Sequence, residues 1–142
     1  MTSWRKFRRL TAAERALLLR AGVLLAVIRI ALWVLPWRSV IGMLSRCRTG
    51  TRRSAEVEID RFAWTVRTAS RIVPAATCLT QSLTLHWLLS CAGHFSRVQI
   101  GVAKDWESGF CSHAWVEYRG RALLSTAAET LSYSLLLTIV VP

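Results

Sequence analysis

The stretch TCLTQSLTLHWLLSCAGHFSRVQIGV, residues 77–102, decides how the rest of the chain is read. Leu79, Leu83, Leu85, Leu88 and Leu89 recur as in a helix that begins at Thr77 or Cys78 and closes at Gly93. From Ser96 to Ala103 the period changes to two, with Val98, Ile100 and Val102 on one side, which is the pattern of a strand. Lys104 to Gly109 then reads as a turn and Phe110 to Tyr118 as a second strand. Arg119-Gly120 makes a tight turn into a third strand ending near Ser125, and the apolar tail Leu131 to Val141 is expected to pack back onto the core.

Upstream of this stretch the chain reads as helical. Thr11-Ala12-Ala13-Glu14 is a capping box, and the helix it starts runs to Leu35, because Pro36 cannot continue the hydrogen-bond ladder. A shorter helix follows from Ser39 to Arg46, then a polar connection from Arg48 to Ser54. Ala55 to Val73 fits a further helix, stopped by Pro74. The expectation is a single α+β domain over residues 1–142: an N-terminal helical region (1–54), then a core (55–142) with a central helix and an antiparallel sheet.

Composition narrows the function classes. Hydrophobic residues make up 53% of the 142, so this is no disordered tail, and 19 Lys+Arg against 8 Asp+Glu leave a formal charge of +11. Such an excess suits an acidic peptide, nucleic acid or an anionic membrane face. Against nucleic acid, the chain shows no helix-turn-helix, zinc-finger or single-strand-binding pattern. Residues 16–35 are apolar except for Arg20 and Arg29, and each arginine near the centre of a span costs ~2.5–3.5 kcal/mol on insertion scales. The expectation is a soluble helix with one very apolar face, touching a protein partner or a membrane surface without spanning it. Four cysteines, Cys47, Cys78, Cys91 and Cys111, could form two disulfides, but without a secretory signal pattern a reducing cytoplasm with free thiols is expected.

The reactive residues follow from placement. A thiol attacks as the thiolate, which a helix N-terminus or a neighbouring imidazolium favours, and Cys78 opens the central helix. Of the three histidines, His86 lies eight residues further along that helix, ~12 Å of rise from Cys78, and His94 follows the helix end. His113, on the second strand, is left as the base. A zinc reading through Cys91, His94, Cys111 and His113 is disfavoured, because Cys111 and His113 would stand about 7 Å apart on one strand face. Neither metal nor cofactor is expected. Strand alternation sets Cys111, His113, Trp115 and Glu117 on one face and Ser112, Ala114, Val116 and Tyr118 on the other; Trp115 reads best as core packing.

The motifs CLTQSLTLHWLLSCAGHFSRVQIGV and SHAWVEYRGRAL together resemble the transglutaminase-like peptidases that mature lasso peptides, and the helix ERALLLRAGVLLAVIRIALWVLP resembles their N-terminal region. The similarity covers about residues 11–125. It implies a papain/transglutaminase-type cysteine protease that removes the leader from a ribosomally made precursor. Its partners would be that precursor, a leader-binding protein and an ATP-dependent macrolactam cyclase, in the cytoplasm or against a membrane. By motif, Cys78 is the nucleophile and His113 the general base and acid. The family's aspartate twelve residues beyond the histidine is replaced here by Ser125. A serine holds an imidazole N–H but cannot balance an imidazolium charge. The outcomes are a Cys78–His113 dyad, a carboxylate such as Glu117 in the third role, or a non-catalytic scaffold of the same complex. A basic membrane-surface protein is a separate alternative.

Overall fold

The computed structural model describes residues 11–46, 56–105 and 109–140. Cys47 and the polar connection at 48–54 lie outside the described residues. Helix α1 covers Ala12–Val34, with the Thr11/Glu14 capping box formed in both directions. Pro36 ends it and serves as N-cap of α2, Trp37–Ser45. Helix α3 covers Glu56–Ser70 and α4 covers Cys78–Cys91, the latter capped by Thr77, whose hydroxyl accepts from Thr80 N–H at 3.3 Å. Strands β1 (Arg97–Asp105), β2 (Gly109–Tyr118) and β3 (Arg121–Leu123) follow, then a short helix α5 (Ala127–Leu131) and strand β4 (Ser134–Ile139). The expected α+β order is observed.

The sheet is antiparallel, in the order β3-β2-β1-β4. Helices α1, α3 and α4 pack on one another, and α4 lies against β1 and β2. Helix α4 is apolar or weakly polar all round, as a helix enclosed on every side must be. Leu83, Leu85, Leu88 and Leu89 are buried, and Thr84 returns its hydroxyl to Thr80 C=O at 2.7 Å. The core joins Leu25 and Ile28 of α1, Val40 of α2, Ile59 and Val66 of α3, and these leucines to Val98, Val116 and Tyr118 of the sheet.

Two features depart from expectation. The tail does not pack back onto the core as a unit. β4 pairs through its backbone with β1 at the sheet edge; only Ile139 is buried and Leu135, Leu136 and Leu137 stay exposed. The edge position leaves both strand faces largely uncovered, so burial there is limited to the residue nearest the core. The second feature is α5, which lies between the expected third strand and the apolar tail, where the sequence reading assigns no element. Its N-terminus is Thr126-Ala127-Ala128-Glu129, the same tetrapeptide that starts α1, with both capping-box bonds made. That signal was present in the sequence; five residues of helix with no buried side chain left no apolar periodicity to announce it.

Candidate active site

Cys78 is the first residue of α4, a half-buried free thiol at a helix N-terminus, where backbone N–H groups lack intrahelical acceptors. His113 lies on β2 opposite Gly101 of β1. Ala114, Val116 and Tyr118 are buried on the face that meets the helical layer, and pleating sends His113, Trp115 and Glu117 to the other face. There His113 stacks on Trp115, with centroids 6.0 Å apart, and lies 5.4 Å from the Tyr133 ring. Trp115 is buried as expected, but against His113 and Tyr133 rather than in the main core cluster. A cleft of about 270 Å³ opens beside this cluster, lined in part by Trp115, Glu117, Thr130 and Tyr133.

Gly101 sets the spacing of the rings. A Cβ there would meet Tyr133 Cβ at 2.8 Å and the Trp115 ring at 3.0 Å, so only glycine leaves them room.

His113 Nε2 lies 3.1 Å from Ser125 Oγ, the residue twelve positions further along the chain. Ser125 in turn donates to Glu129 Oε2 at 3.1 Å, and the same oxygen accepts from Thr126 N–H at 2.7 Å. The Thr126 hydrogen bonds chiefly, then the Ser125 hydroxyl and the charge of His113, hold the Glu129 carboxyl below its ordinary range. Glu129 was not among the residues singled out from sequence. The repeated Thr-Ala-Ala-Glu tetrapeptide, which begins directly after Ser125, could have flagged it.

Glu117 is placed elsewhere. It accepts from Gln99 Nε2 at 3.2 Å, while Gln99 Oε1 accepts from Thr138 Oγ1 at 2.6 Å. Four residues along an extended strand separate Glu117 from His113 by ~13 Å. The structure thus joins His113 to Ser125 and leaves Glu117 in a separate polar network. No hydrogen bond joins Cys78 to His113, whose ring stands on the sheet face turned away from α4.

The other histidines are structural. His86 is buried, with Nδ1 2.8 Å from Ser96 Oγ, and burial pushes its pKa down. His94 is buried edge-on to Tyr118, whose hydroxyl lies 3.3 Å from Nδ1. Cys111 is present as a thiol, whereas Cys91 is disulfide-bonded, a departure from the expectation of free thiols throughout. Among the described residues no group of three or more His, Cys, Asp or Glu could hold a metal ion.

The fold is an α+β domain with a thiol at the start of α4 and a histidine on β2 held through one ring nitrogen by Ser125. The Transglutaminase-like superfamily profile matches residues 22–138, and the chain belongs to that family. The family includes cysteine peptidases. No curated protein and no solved structure shows a significant match to the chain.

Proposed function

We propose that the chain is a cysteine peptidase that removes the leader from a ribosomally synthesised lasso precursor peptide. The observation that carries this reading is His113, held at Nε2 by Ser125 at the motif position of the family's third residue, within a matched transglutaminase-like domain. In the reaction His113 takes the Cys78 proton and the thiolate attacks the scissile carbonyl carbon. A C–S bond forms, and the oxyanion is met by the unpartnered N–H groups at the start of α4. The imidazolium returns the proton to the leaving amine as the C–N bond breaks. Water, activated by His113, then cleaves the thioester and regenerates the thiol.

The precursor, a leader-binding protein and a macrolactam cyclase are the partners this reading requires. The test is cleavage of a cognate precursor in the presence of the leader-binding protein, followed by mass spectrometry. Release of leader by the chain and loss of release in Cys78→Ala are expected. Unchanged cleavage by Cys78→Ala would sink the peptidase reading.

A second reading, compatible with the first, is favoured by the outer face of α1. Leu19, Val23, Val27, Ile30 and Val34 form a stripe opposite the buried Leu18, Ala21, Leu25 and Ile28, and Trp33 beside it is 85% exposed. The 23-residue helix is long and apolar enough to cross a membrane by length and composition. At 100° per residue Arg20 flanks one border of the stripe, while Arg29 lies near the buried face. An apolar outer face edged by an arginine suits a helix lying in an anionic membrane surface. An apolar groove of about 340 Å³ between α1 and the chain beyond α3, lined by Leu19, Val23, Ile72 and Val73, extends the same surface.

A further inference from the structure

We propose that Glu129, acting through the hydroxyl of Ser125, is the positioning residue that fixes the tautomer of His113 and supplies the negative charge missing from position 125. This rests on the reading of Cys78 and His113 as nucleophile and base.

Proton bookkeeping carries the argument. An ionised carboxylate only accepts hydrogen bonds, so the single hydroxyl proton of Ser125 goes to Glu129 Oε2, 3.1 Å away. Ser125 Oγ then has only lone pairs to offer His113 Nε2 at 3.1 Å, and Nε2 must carry the ring proton. Nδ1 is left as the basic nitrogen, the one able to take a thiol proton. When it does, the imidazolium faces a hydroxyl polarised by a carboxylate, and no proton passes beyond the ring. A serine alone could turn its proton either way and would not choose the tautomer.

The carboxylate is well placed for this. Thr126 N–H donates to the same Oε2 at 2.7 Å, and Glu129 N–H donates to Thr126 Oγ1 at 3.2 Å, so the capping box sets the position of the Glu129 side chain. Leu124, just before Ser125, sits in the left-handed region at φ 67°, a conformation costly for leucine that turns the chain out of β3 toward the ring. A carboxylate at Glu129 therefore serves two ends, capping α5 and orienting Ser125.

The two roles separate in Glu129→Gln, because glutamine also serves at this position of a capping box but carries no charge and can both donate and accept. The full chain is labelled with ¹⁵N-histidine and the His113 tautomer is read by NMR near neutral pH, alongside kcat and KM for precursor cleavage. The expected result is an Nε2–H tautomer in the unaltered chain and a mixture in Glu129→Gln, with unchanged thermal midpoint. The same variant should lose roughly fivefold to tenfold in kcat at constant KM. That is far less than the ~10⁴ seen when a buried triad carboxylate is neutralised, because Glu129 is exposed and acts through a hydroxyl. Adding Ser125→Asp to Glu129→Gln should restore kcat, since a carboxylate then meets Nε2 directly. An Nδ1–H tautomer in the unaltered chain would overturn the proposal, as would a Glu129→Gln variant with both tautomer and kcat unmoved. An inert chain whose tautomer still follows Glu129 would count against the peptidase reading and support this one.

Discussion

At position 101 the space for a methyl group is already occupied by Tyr133 and Trp115, so the rings around His113 owe their spacing to the glycine paired with it across the sheet. Gly101→Ala should destabilise the chain by about 1–3 kcal/mol, as overpacking usually does, because the nearest atoms are Tyr133 Cβ and the far edge of a buried indole. The urea midpoint reads the loss, and a near-UV circular dichroism change would report the displaced tryptophan. An unchanged midpoint would mean that β4 yields freely. The thiols provide the second residue-scale prediction. Cys78→Ala should abolish leader removal, while Cys47→Ala, Cys91→Ala and Cys111→Ala should retain most of it, as a precursor-cleavage assay would show. Normal cleavage without Cys78, or loss with Cys111→Ala alone, would move the nucleophile.

At the scale of elements, α4 and the β2–β3 turn have distinct weak points. His86 sits inside α4 with one ring nitrogen on Ser96 and the other, Nε2, buried without a partner. Burial lowers its folded-state pKa, so folding favours the neutral ring. Its contribution is therefore full above about 6.5, the unfolded value, and is lost as pH falls through the lower folded value. Urea midpoints measured from pH 7.5 downward should drop below about 6.5, and His86→Gln should flatten that part of the slope. A His86→Gln chain with the same slope would place the titration elsewhere. The turn after β2 holds Arg119 and Gly120 both at positive φ, 50° and 77°, as a tight hairpin with mirror-image geometry requires. Gly120→Ala meets no atom within 4 Å, so its cost is conformational alone, about 1–2 kcal/mol by thermal or urea unfolding.

For the whole molecule, the question is what covers the outer face of α1. Ile30 is 63% exposed and Val23 likewise, on a helix whose inner face is fully buried at Leu25 and Ile28. With a formal charge of +11, the chain should bind vesicles containing phosphatidylserine and not neutral ones, each surface arginine adding about 1 kcal/mol at low salt. Val23→Asp with Ile30→Asp should reduce co-sedimentation with anionic vesicles at least tenfold, and circular dichroism should remain helical because both side chains point away from the core. A soluble chain that ignores anionic vesicles would remove the membrane reading, and improved solubility with the leader-binding protein would assign the stripe to that partner.

Local signals in the chain were enough for α1 to α4 and β1 to β3. Thr11 and Glu14, Pro36, Pro74, the leucines of α4 and the alternation of β1 each act within a few residues, and the elements they announce are present within a few residues of their expected ends. The identity of Cys78, His113 and Ser125 as candidates was also legible, because a motif is a property of spacing. Three things were not. β4 is an edge strand because backbone pairing with β1 outweighs the burial its leucines would otherwise seek. Trp115 stacks on His113 because pleating sends both to the sheet face away from the helices, and periodicity cannot say which face the helices occupy. Glu129 bonds Ser125 from four residues further on, within one capped stretch, and what tertiary folding alone supplies is the meeting of that stretch with the His113 ring on β2.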